Sequence, residues 1–232
     1  MLARSEGASD PFDSVLRQAG AVFASQDGHP VAINYGSAAG ELAVCVRAVG
    51  LVDRSDLVKL EVEGPPAQLS GLIMRLAGGT LSPGGALFGG AVSWCGSSSD
   101  RVLALCEPRV GDRLYEHLRL HSLHHAGLSV RDRSADWAAI ELLGRNAFPL
   151  LRSLGAYGDG GDPREVPPFA AGAVAGIEVR WLHRSDRHAL ALVARERAAA
   201  LWRAIENAGR PFGLSCVGSE AARRYALLER IG

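Results

Sequence analysis

Two stretches of this chain are near copies of each other. "DRSDLVKLEVEG" runs from Asp53 to Gly64, and "DRSADWAAIELLG" from Asp132 to Gly144. Each reads Asp-Arg-Ser, a short polar step, a run with strand character and a glycine, and each leads into a helical pattern. In the first copy Val58, Leu60 and Val62 alternate with Lys59, Glu61 and Glu63, which predicts a strand with one face in the core and the other half-exposed. A strand–turn–helix unit written twice points to a duplicated α+β architecture, in which each half needs the other to bury its sheet faces. The first half spans about 50–126 and the second about 127–232, inside one domain from residue 11 onward; residues 1–10 are expected to form a loose N-terminal tail.

The remaining pattern fits that scheme. Helices are expected at 12–19, at 37–50 with Gly50 as its C-terminal cap, at 67–79, 111–127 and 196–209, and at the C-terminus. Strands are expected near 29–35, 58–63, 101–107, 137–144, 175–184 and 188–194, and the Gly- and Pro-rich stretch 156–172 reads as irregular. Asp53 and Ser55 sit where short polar side chains bond local backbone N–H groups and fix a turn. Their recurrence as Asp132 and Ser134 marks them as parts of the fold rather than of one site.

Apolar residues make up 47% of the chain, enough for a sizeable core. Lys and Arg total 25 and Asp and Glu total 25, with no run of one sign, so neither nucleic acid nor an anionic membrane is an expected partner. Lys59 is the only lysine. No run of 18 apolar residues occurs, so no membrane span is expected. The four cysteines, Cys45, Cys95, Cys106 and Cys216, form no C-x-x-C pair and lie in or beside apolar segments, as buried free thiols of a reducing cytoplasm do. His121, His124 and His125 have helical spacing but no carboxylate or thiol nearby in sequence to complete a metal site. They read as cations at a helix C-terminus. No G-x-S-x-G and no strand–GxGxxG–helix context is present.

At the level of residues, "GAVFASQDGHPVAINYGSAAGELAVCVRAVGLVDRSDLVKLEVEGPPA" resembles the opening of the glycine-cleavage T-protein (aminomethyltransferase) superfamily. The resemblance rests on Gly20, Ala21, Phe23, Pro30, Tyr35, Glu41, Arg47, Gly50, Leu51, Asp53, Ser55, Gly64 and Pro65. "LWRAIENAGRPFGLSCVGSEAARRYALLERIG" resembles the end of that family's folate-binding domain. In between, "SPGGALFGGAVSWCGSSSDRVLAL" and "VRDRSADWAAIELLGRNAFPLL" are similar to the gamma subunit of heterotetrameric sarcosine oxidase. The resemblance implies a duplicated α+β domain that holds tetrahydrofolate in a central channel, without the C-terminal barrel of full-length aminomethyltransferases.

The same resemblance implies cofactor contacts at Tyr35, Leu57, Asp186, Arg223 and Arg224, and a structural role for Glu229. Tyr35 would stack on or hydrogen-bond a ligand ring, and the two arginines would meet ligand carboxylates. It assigns no catalytic residue. The family's Asp-Asp-hydrophobic motif falls at Gly89–Val92, here "GGAV", and around Arg184–His188 only Asp186 offers a carboxylate. Two functions follow: a tetrahydrofolate-binding methyl- or aminomethyltransferase-like protein of one-carbon metabolism, or a non-catalytic gamma-like subunit paired with a flavoprotein or a barrel-bearing partner.

Overall fold

The computed structural model describes residues 10–89, 91–157 and 164–229. Two sheets form its centre. The first is built from β4 (Val58–Glu63), β5 (Ala86–Gly89), β6 (Val92–Ser98), β7 (Arg101–Cys106) and β8 (Ser129–Asp132), in the order β5-β6-β7-β4-β8. The second comprises β3 (Val49–Asp53), β9 (Trp137–Leu143), β10 (Phe169–Val174), β11 (Ile177–Ser185), β12 (His188–Ala194) and β13 (Leu214–Cys216), in the order β10-β11-β12-β9-β3-β13. All pairings are antiparallel except β13 on β3. A hairpin, β1 (Val22–Gln26) and β2 (His29–Asn34), stands apart.

These orders show what the repeat does. β5-β6-β7-β4 matches β10-β11-β12-β9, and the fifth place in each sheet is filled from the other copy. β3, which leads into the first repeat, pairs with β9; β8, which leads into the second, pairs with β4. Asp-Arg-Ser is the crossing between sheets. Asp53 accepts from the Ser55 N–H at 2.9 Å and Asp132 from the Ser134 N–H at 2.8 Å. The Ser55 hydroxyl then accepts from the Ala139 N–H at 3.3 Å, and the Ser134 hydroxyl from the Lys59 N–H at 2.9 Å. The Arg54 N–H donates to the Ala139 carbonyl and the Arg133 N–H to the Lys59 carbonyl, both at 2.8 Å. Each hinge is thus bonded to the strand of the opposite copy, and neither sheet is complete alone.

Helices cover the outer faces. α3 (Pro66–Ala77) and α4 (Pro108–His124) pack on Leu60, Val62, Val102 and Ala104 of the first sheet. α1 (Pro11–Gln18), α5 (Ala147–Ser153) and α6 (Ala198–Gly209) pack on Leu51, Ile140, Trp181 and Ala191 of the second. Phe12 meets Trp202 edge-on with ring centroids 5.6 Å apart. α2 (Ala38–Arg47) and α7 (Ser219–Glu229) close one end around Val52, Leu143 and Val217. A fourth cluster, with Leu103 and Leu105 from one sheet and Leu182, Leu190 and Leu192 from the other, lies between the sheets. Residues 1–9 of the expected tail lie outside the described residues; Asp10 caps α1 through the Phe12 N–H at 2.8 Å and pairs with Arg195.

Three expectations need correction. The helix expected to reach Gly50 ends at Arg47, and β3 begins at Val49. β3 is buried at every position, so its apolar run continues the helical stripe and no periodicity separates the two. Gly50 is not a cap but a close-packing position, where a Cβ would sit 2.8 Å from both Cys45 Sγ and Val217 Cγ2. The short strands β8 and β13 carry too few residues for a pattern. Finally, the Lys59 and Glu61 side of β4 is not half-exposed: Lys59 has 0% exposure and Glu61 8%, because the second sheet lies over them.

Candidate functional site: a channel between the sheets

A cavity of about 1160 Å³ opens where the two sheets part. Its walls come from the Asp-Arg-Ser crossing (Arg54, Asp56, Leu57), the end of β7 and the start of α4 (Cys106, Glu107, Arg109), β9 (Glu141), β11 (Arg184) and β12 (His188). α7 with Ser219 and Arg223, and the β1–β2 tip with Gln26 and Asp27, border it, and Phe88 stands at its rim.

A charged cluster dominates one wall. Glu141, 4% exposed, lies 2.5 Å from His188 Nε2 and 3.4 Å from the Arg54 guanidinium. Arg54 also reaches Glu107 at 2.6 Å and Asp56 at 3.3 Å. Burial alone pushes the Glu141 carboxyl up, but His188 and Arg54 outweigh it and hold the group well below the usual carboxylate range. Elsewhere in the channel the arginines are free of acids: among the described residues Arg109, Arg184 and Arg223 make no ion pair. Arg184 donates to the Ser93 hydroxyl at 2.7 Å and lies 5.7 Å from the centre of the Phe88 ring.

Of the residues singled out from sequence, Leu57 and Arg223 line this cavity. Arg223 donates to Gln26 at the β1–β2 tip. Tyr35 does not line it: the ring packs against the core under the second sheet, its N–H donates to Glu41 at 2.7 Å, and its buried hydroxyl has no hydrogen-bond partner among the described residues. Asp186 is exposed on the β11–β12 turn, and Arg224 is exposed and paired with Glu220 at 2.6 Å; neither is on the cavity wall. Glu229 accepts from the Tyr225 hydroxyl at 2.9 Å. Glu41 ties the Tyr35 and Gly218 N–H groups together, which joins α2 to the start of α7.

His121 bonds Arg75 at 2.8 Å and stacks on His125, and no group of three metal-binding side chains forms among the described residues. All four cysteines are free, and burial pushes each thiol up to about 12, leaving them protonated and unreactive. A second cavity of about 1010 Å³ flanks β10 with walls chiefly of small apolar residues such as Gly155, Ala156, Ala170 and Ala171.

Arg54, Glu141 and His188 carry the channel's chemistry, and sequence reading passed over all three. One signal was present: Arg-x-x-x…Glu recurs in both copies, as Arg54 with Glu61 and Arg133 with Glu141. Nothing in the local sequence marks His188.

No family model matches the chain, and no curated protein does. Solved structures do. Aminomethyltransferase T of the glycine cleavage system from Bartonella henselae superimposes with a TM-score of 0.70 at 16% identity, over 91% of this chain and 59% of that one. A chain of the heterotetrameric sarcosine oxidase from Corynebacterium sp. U-96, in complex with pyrrole 2-carboxylate, superimposes with a TM-score of 0.59 at 20% identity. That match covers 77% of this chain and 94% of the other. The fold is therefore the α+β fold of aminomethyltransferase folate-binding domains, with no barrel among the described residues. The chain spans 59% of the length of the Bartonella enzyme. No helix among the described residues is long and apolar enough to cross a membrane.

Proposed function

We propose that the channel binds a tetrahydrofolate-type one-carbon carrier. The observation that carries this reading is the cavity of about 1160 Å³ between the two sheets, large enough for a ligand of that size. Its walls suit the group. Arg184 and Phe88 offer flat surfaces for a heteroaromatic ring. Glu107 and Asp56 present acceptor oxygens for amide-like donors. Arg109 offers its fork to ligand carboxylates, and Arg223, which donates through one nitrogen to Gln26, offers its remaining N–H groups. Leu57 and Arg223 are the wall residues that the family resemblance also implies; Tyr35, Asp186 and Arg224 would contact only parts of a ligand reaching beyond the wall. If a reaction follows, it is methyl or aminomethyl transfer to the bound folate.

Calorimetry with tetrahydrofolate under anaerobic conditions tests this directly. Binding in the micromolar range is expected, with weaker binding for Arg184→Ala; no heat at high micromolar protein refutes it.

One observation favours a second reading, in which the chain is a non-catalytic subunit of an amine-oxidising complex. Phe88 and Leu227 are 52% and 58% exposed at the channel rim, beside Arg184 and Arg223. Apolar groups mixed with arginine are the composition of an interface centre. A flavoprotein or barrel-bearing subunit would cover them, as the 94% coverage of the sarcosine oxidase chain suggests. Pull-down from the native host discriminates: recovery of no such partner counts against it. The four free thiols support a reducing compartment, the cytoplasm, under either reading.

A further inference from the structure

The duplication supplies a control inside the molecule. Glu61 of β4 and Glu141 of β9 occupy equivalent places, and Arg101 opens β7 as His188 opens β12. In the first half Glu61 lies 3.8 Å from Arg101 and 3.8 Å from Arg133. In the second, Glu141 lies 2.5 Å from His188 and 3.4 Å from Arg54. Both carboxylates are therefore held between a cation of the neighbouring strand and the arginine of Asp-Arg-Ser. Two parts differ: the guanidinium of Arg101 is an imidazole in the second copy, and Glu63, which Arg101 meets at 2.6 Å, is Leu143 there. Glu61, Arg101 and Arg133 are off the cavity wall, while Glu141, Arg54 and His188 are on it. The imidazole stands in the copy that faces the ligand space. Its Nε2 is taken by Glu141, and among the described residues Nδ1 has no hydrogen-bond partner.

We propose that His188, oriented by Glu141, exchanges a proton with an amine of the ligand held in the channel. The proton of a ligand ammonium N–H passes to the lone pair of Nδ1. The ligand amine is left neutral with its lone pair free, and the imidazolium is offset by Glu141; release reverses the transfer, and no other bond changes. A neutral imidazole accepts a proton outright from an ammonium group, a far stronger acid than an alcohol, with no other bond having to change. Arg54 is a positioning residue that keeps Glu141 ionised. The other charged groups on the wall are Asp27, Asp56, Glu107, Arg109, Arg184 and Arg223, and among the described residues His188 is the one histidine there. The inference rests on the folate reading only for the identity of the amine.

Two measurements on the full chain decide it. Diethyl pyrocarbonate acylates neutral, accessible imidazole nitrogens; peptide mapping across about pH 5 to 9 should show His188 modified along a sigmoid profile. In Glu141→Gln, where no carboxylate engages the imidazole, acylation of His188 should be faster. His188→Arg, which places in the second half the residue type that Arg101 supplies in the first, should lack the modified peptide, with its fold checked by circular dichroism. No acylation at His188, or an unchanged rate in E141Q, overturns the proposal whatever the channel binds. Calorimetry should show tetrahydrofolate bound about tenfold more weakly by H188R than by the wild type, and bound ligand should shield His188 from acylation. Undiminished binding in H188R, or acylation of His188 that bound ligand leaves unchanged, removes this inference and leaves the folate reading standing. No heat at all removes both.

Discussion

Replacing Lys59 by methionine tests whether the inner face of β4 is dry. The Lys59 ammonium is fully buried and donates to the Ser55 carbonyl at 3.0 Å and the Leu57 carbonyl at 2.7 Å. Burial lowers its pKa from 10.5 to about 8, against the opposing pull of Asp56 and Asp53. The unfolded chain therefore binds more protons between these two values, and wild-type stability rises with pH through that window. The rise amounts to about 3 kcal/mol, at about 1.4 kcal/mol for each tenfold change in proton affinity. Methionine keeps the length of the side chain and removes the titration. It also leaves two carbonyls short of a donor, at about 1–3 kcal/mol for an unsatisfied buried group. Near pH 7 the two effects offset, and Lys59→Met should lie within about 2 kcal/mol of the wild type. At alkaline pH the wild type regains its deficit and the variant trails by about 3 kcal/mol. Urea denaturation of both proteins near neutrality and near the top of the window measures this. The raised thiols destabilise both proteins alike as pH climbs, because the unfolded chain loses thiol protons first, so the difference curve is free of them. A flat difference across the window would mean that water reaches Lys59 and that the sheets do not seal against each other.

Arg54→Met strips Glu141 of one of its two cations and should cost about 3 kcal/mol by chemical denaturation, the low end for a broken buried pair because the guanidinium is partly exposed. Glu141 is held below its ordinary carboxylate range, so its contribution is present above the unfolded carboxylate pKa and fades as pH falls towards its folded one; Arg54→Met should bring that acid loss to higher pH. Gly144→Ala should lower the melting temperature by at least about 4 °C, from a cost of about 2 kcal/mol. Gly144 has φ +127°, and a Cβ there would sit 2.5 Å from the Ala48 and Cys45 carbonyl oxygens. A variant that melts with the wild type would show that this turn relaxes freely.

The α+β class, the doubled unit and its turn were legible because each depends on residues close together in sequence. Asp-Arg-Ser recurs, and the Asp53–Ser55 and Asp132–Ser134 bonds span only two residues. The alternation of Val58, Leu60 and Val62 also read correctly, as the face beneath α3 and α4. The opposite face did not, since charge in a strand signals water only when nothing covers it. Lys59 and Glu61 are covered by a sheet whose key strand lies some eighty positions away. The family resemblance brought Leu57 and Arg223 to the channel wall, yet the Glu141–His188 pair, 47 positions apart, had no local pattern to announce it. By itself, then, the sequence determined which side chains share a face and where the chain must turn, because backbone stereochemistry sets a fixed period along each element. Only the tertiary structure decided which face meets water, which strand crosses to the other sheet and which charges stand opposite one another, because those depend on long-range pairing that no local period encodes.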